Sequence, residues 1–151
     1  TIAPFTIESS DYIFDALYNE ALRKGDTLEA VSLARQYIDF TVQSFEYFES
    51  LSMELFGRNI RHIYLCHANR LNTDYYNELI AAIRHRGYQC ISLDEALADT
   101  VYTSPNYYYQ RYGISWLYRW VQDGNKRKTL LKNSPDPDPE LYSRYKTLNK
   151  E

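Results

Sequence analysis

His67 ends a short apolar run in "HIYLCHANRLN", residues 62–72, just before a helix is expected to begin. An imidazole changes charge near neutral pH, so a histidine at the end of a strand can serve as a general acid or base. The same histidine can instead donate to a backbone carbonyl and cap a turn. Asp11 lies in "TIESSDY", just past an earlier apolar stretch, with Glu8 three residues before it. A carboxylate beside a histidine orients the ring, which makes Asp11 a candidate partner for His67. Its competing role is the N-cap of the helix that follows. The histidines are His62, His67 and His85, and none pairs with another at helical spacing. The sequence therefore gives no support for a metal site built by this chain alone. No glycine-rich phosphate loop and no nucleophile with its base can be read either.

The elements that must position these groups follow from periodicity and punctuation. "IAPFTIE" is expected to be a short strand. Ser10 or Asp11 then caps a helix from about Tyr12 to Lys24, stopped by Gly25. Apolar residues at three- and four-residue steps predict a long helix from Thr27 to Phe56. Residues 60–66 are short and rich in branched and aromatic side chains, the pattern of a strand. Along it Ile63, Leu65 and His67 share one face. Asn72 or Thr73 caps the next helix, which ends at Gly87; "YQCISL" is expected to be a further strand and Ser92 to cap a short helix. "VYTSPNYYYQRYG" is expected to be a loop and "ISWLYRWVQ" a short helix. Strands alternating with helices imply an α/β fold with about three parallel strands.

The totals bound the rest. The chain has 151 residues, 44% hydrophobic and 25% charged, the balance of one globular domain. A net charge of -3 gives no reason to expect nucleic acid as a partner. No apolar run approaches the roughly 20 residues of a membrane span, and the start has no signal-peptide pattern. Cys66 and Cys90 lie in apolar runs without metal-knuckle spacing, and their redox state stays open. Tyrosine is abundant, with 16 copies. Its apolar body and polar tip suit half-buried surfaces and interfaces, and clustered rings can also stack on sugars.

Taken in order, "IAPFTIESSDYIF", "IYLCHANRLN", "GYQCISLDEALAD" and "YGISWLYRW" resemble the carboxyl-terminal part of a polysaccharide deacetylase, carbohydrate esterase family 4. The resemblance covers about residues 1–121. It implies part of a distorted (β/α) barrel with a long helical insertion. It also implies hydrolysis of N- or O-acetyl groups on a polysaccharide or oligosaccharide. The family's Leu-x-Leu-His motif falls on Tyr64, Leu65, Cys66 and His67, where only the histidine matches. Its Asp-x-x-Asp-Trp motif falls on Glu8, Ser9, Ser10, Asp11 and Tyr12, where the second aspartate matches. The resemblance thus assigns His67 as general acid and Asp11 as its partner, with Tyr12 and Leu65 in the substrate pocket. Zinc or another divalent metal serves the complete family domain. The motifs that bind it belong upstream of Thr1, so this chain alone is expected to bind no metal and to be inactive.

The expected organisation is therefore a deacetylase-like segment over residues 1–121 and a basic, then Pro-rich, tail over residues 122–151, extended or disordered. The partner is the amino-terminal half of the domain or a second copy in a homodimer. Family resemblance favours an extracytoplasmic location. The alternative is a catalytically inactive, Tyr-rich α/β module that binds a glycan or a protein, or self-associates.

Overall fold

The computed structural model describes residues 3–149. Among the described residues, seven α-helices run in chain order: α1 Asp11–Arg23, α2 Thr27–Phe56, α3 Arg70–His85, α4 Leu93–Leu97, α5 Trp116–Arg119, α6 Gly124–Lys132 and α7 Pro139–Leu148. A 3₁₀ turn spans Thr100–Thr103. Helices account for 62% of the structure and strands for 1%, with no sheet or barrel among the described residues. The fold is all-helical. This corrects both the expected α/β class with about three parallel strands and the expected (β/α) barrel.

The physical reason lies in where the backbone hydrogen bonds go. A strand persists only where a neighbour completes its ladder. Residues 60–66 meet residues 5–7 over a single parallel bridge, Ile7 to Tyr64. The Ile7 N–H donates to the Ile63 carbonyl at 3.1 Å, and the Leu65 N–H to the Ile7 carbonyl at 2.9 Å. Beyond that rung, side chains and a helix start take over. The Ile63 N–H donates to Thr6 Oγ1. The Ser115 hydroxyl donates to the Thr6 carbonyl, and the Trp116 N–H to the Phe5 carbonyl. Residues 88–91 form no bridge and leave Ile91 46% exposed. Apolar content made both segments look like strands, but neither has a sheet to join.

The chain divides into two compact units. One comprises residues 3–8, 44–65 and 90–135. Its buried core is aromatic, with Phe48, Tyr118 and Trp120 prominent. Phe48 meets Tyr118 at 6.0 Å, and Trp120 takes both Phe56 and Tyr102 edge-on. Asp99 ties its loops together by accepting from the Arg58 guanidinium and from the Arg61 and Val101 N–H groups. That guanidinium holds the Asp99 carboxyl well below the usual carboxylate range. The other unit comprises residues 9–43, 66–89 and 136–149. Here α1 packs against α3 and α7. Phe14 of α1 sits between Tyr37 and Phe40 of α2, at 5.7 and 5.6 Å. Residues of α2 belong to both units.

The tail expected to be extended forms α6 and α7. Each starts from a capping aspartate, Asp123 and Asp138, and Pro139 occupies the first turn of α7, where its missing N–H costs nothing. Among the described residues, no helix is long and apolar enough to cross a membrane.

Candidate functional site

Asp11 is the first residue of α1 and only 2% exposed. The N-cap position before it belongs to Ser10, which has a left-handed backbone (φ 50°, ψ 31°) and makes no side-chain cap bond. That conformation costs a non-glycine residue roughly 1–2 kcal/mol. The Asp11 carboxylate does not cap α1 with its side chain; its acceptors are directed at His67 and Asn72.

Three donors converge on it. His67 Nδ1 lies 2.7 Å from Oδ1. The His67 backbone N–H donates to Oδ2 at 2.9 Å, and Asn72 Nδ2 donates to the same oxygen at 2.9 Å. A carboxylate only accepts, so Nδ1 carries a proton and the neutral ring presents its lone pair at Nε2. The imidazole is 54% exposed while the Asp11 side chain is 3% exposed. One edge of the ring is thus anchored to a buried carboxylate, while more than half of the side chain is open to solvent. A ring held in one tautomer with a free nitrogen can deliver or accept a proton at a fixed point.

The helix that follows positions the rest. Asn69 caps α3, accepting from the Asn72 N–H at 2.8 Å. Helix α3 therefore begins at Arg70, earlier than the expected cap at Asn72 or Thr73, and Asn72 falls inside the first turn, 5% exposed. Its amide also donates to the His67 carbonyl at 2.9 Å. Two further links join the same segments. The Leu71 N–H donates to Asp15 Oδ1 at 2.9 Å, and the Tyr18 hydroxyl to Asp74 Oδ2 at 2.8 Å. Each of these pairs, like Asp11 and His67, is 56 residues apart in sequence. Burial and the Asp74 acceptor push the Tyr18 phenol up to about 12, so it stays a donor.

The structure brings His67 and Asp11 into contact. Tyr12, half exposed, turns its ring edge-on to Tyr145 of α7 at 5.5 Å. Leu65 belongs to the other unit. Cys66 is free and exposed, and Cys90 likewise. Burial, and then the charge of Asp11, push the Cys66 thiol up, which disfavours the reactive thiolate. Asn72 and Tyr37 are the site residues that pattern reasoning missed. The signal for the first was the second asparagine of "HANRLN", five residues beyond the histidine.

His62 is spatially committed elsewhere. Its Nδ1 lies 3.1 Å from Thr6 Oγ1, and its buried Nε2 has no hydrogen-bond partner among the described residues. Burial pushes this imidazole down to about 4, so it is neutral at ordinary pH. Among the described residues, no group of three His, Cys, Asp or Glu side chains could hold a metal ion. No family model, curated protein or solved structure matches the chain.

Proposed function

We propose that this chain supplies the acid-bearing part of a deacetylase that hydrolyses acetyl groups on a polysaccharide or oligosaccharide. One observation carries the reading: an exposed imidazole held through Nδ1 by a buried carboxylate at 2.7 Å. Cleaving an N-acetyl group adds water across the C–N bond and expels an amine, which leaves readily only if it gains a proton. Protonated His67 gives that proton from Nε2. Asp11 keeps the ring in register and stabilises its charge before the transfer. Residues able to hold a divalent metal would come from another polypeptide segment. The resemblance of "LCHANRLN" and "GYQCISLDEAL" to the deacetylase family supports the same reading.

The test is acetate release from an acetylated chitooligosaccharide with added zinc. It is run on this chain alone, and on this chain mixed with a polypeptide bearing the family's Asp-Asp and paired-His motifs. Release only in the mixture, abolished by His67→Ala, is expected. A mixture that co-elutes on size exclusion yet releases nothing, or a His67→Ala variant at full rate, overturns the proposal. A second reading, glycan binding without hydrolysis, is favoured by Tyr109 and Tyr112, which are 85% and 73% exposed in a loop. Exposed aromatic rings of this kind offer stacking faces. Glycan binding by an assembled but inactive mixture, lost on replacing both tyrosines with serine, selects it.

A further inference from the structure

We infer that Tyr37, in the long helix α2, is a positioning residue for His67 that acts through the Asn72 amide. The inference rests on the reading of His67 as the proton donor. Tyr37 is fully buried, and its hydroxyl donates to Asn72 Oδ1 at 2.6 Å. With its oxygen held there, Asn72 points both amide hydrogens the other way, to Asp11 Oδ2 and to the His67 carbonyl. The reverse amide orientation would set Oδ1 against a carboxylate and a carbonyl, neither of which can donate. The phenol thus fixes the amide, the amide fixes one carboxylate oxygen and the His67 backbone, and the other carboxylate oxygen fixes Nδ1. Every member except the imidazole itself is buried, where hydrogen bonds are strong and an unpaired group is costly. The chain of contacts ends on the one group open to a substrate.

Two conservative variants separate positioning from general loosening. Tyr37→Phe removes only the hydroxyl that orients Asn72. Tyr18→Phe removes the phenol of another tyrosine in the same unit, one that donates to Asp74 instead. The readouts are the ¹⁵N signature of the His67 tautomer and solvent exchange of its Nδ1 proton. Tyr37→Phe is expected to speed that exchange by about tenfold, the equivalent of one hydrogen bond, and to mix the tautomers. Tyr18→Phe is expected to leave both readouts at their wild-type values. If Tyr37→Phe does not fold, Asn72→Ala reads the same link one step closer and is expected to lose the slow Nδ1 proton. Equal effects of Tyr37→Phe and Tyr18→Phe, or none from Tyr37→Phe and Asn72→Ala, overturn the inference. In the active mixture, Tyr37→Phe should lower kcat with little change in KM. The tautomer readout needs no activity, so failure of the deacetylase reading and failure of the positioning chain are told apart.

Discussion

Replacing Asp11 with asparagine keeps the side chain's shape and removes one of its two acceptor oxygens. In the native site Oδ2 accepts from two N–H groups and Oδ1 from one. The single carboxamide oxygen therefore belongs where Oδ2 was, because the opposite choice strands two donors. The new NH₂ group then faces His67 Nδ1. Two donors cannot share that contact, so the ring proton moves to Nε2 and Nδ1 becomes the acceptor. Two of the three bonds survive and the third reverses its direction, so Asp11→Asn should cost only about 1–2 kcal/mol. Asp11→Ala loses all three and leaves a buried space, and should cost about 2–4 kcal/mol. In a chain of this size that corresponds to a drop of roughly 4–16 °C in Tm. Thermal melts followed by circular dichroism, with amide exchange in α1 and α3, measure the cost; ¹⁵N spectra of His67 measure the tautomer. A proton on the wrong nitrogen costs a catalytic triad roughly 10⁴ in kcat, so Asp11→Asn should be nearly inactive in the mixture while remaining folded. An Asp11→Asn spectrum that still shows the Nδ1–H tautomer would refute this reasoning.

Two further outcomes are expected. His62 is held neutral by burial, down at about 4 against an ordinary 6.5. The unfolded chain therefore binds a proton that the folded one refuses. Stability is complete above about pH 6.5, and about 3 kcal/mol is lost as pH falls toward 4. Both tryptophans, Trp116 and Trp120, lie in the same unit as His62, so urea unfolding followed by Trp fluorescence reads this loss, and His62→Asn should flatten it. Parallel pH slopes for the two proteins would count against it. Asn69→Ala removes the α3 cap and should cost about 1 kcal/mol, read as faster amide exchange at Leu71 and Asn72; unchanged exchange there would mean the cap bond is dispensable.

Helices were legible in this sequence because their information is local. The expected bounds of α2, Thr27 and Phe56, match the structure, and Ser92 caps α4 through a reciprocal bond with Glu95. Gly25, Gly57 and Gly87 all take positive φ just past helix ends, as their role of C-terminal stops requires. Strands were not legible, because a strand is a relation between segments, and residues 60–66 found one rung rather than a sheet. The tail's helices are hidden because its prolines suggest an extended chain, whereas Asp138 followed by Pro139 is a helix start. In the site, the pairing of His67 with Asp11 was anticipated from position and family resemblance. In the sequence Asn72 has the signal of an end cap, and Tyr37 is one of many tyrosines. Which polar groups meet across a core depends on packing that periodicity does not encode.

The common separation of 56 residues between Asp11 and His67, Asp15 and Leu71, and Tyr18 and Asp74 bears on how the site assembles. Bringing the first pair together closes a long loop, whose entropy cost grows only as the logarithm of its length. Once one pair has met, the others lie a turn or so away along α1 and α3 and require no second long closure. The three contacts should therefore form together, with His67 acquiring its orientation at the moment the loop closes. A change that weakens the Tyr18 end would then reach the imidazole only by opening the whole set, which shows up as a lower melting point and not as a looser ring in the folded protein.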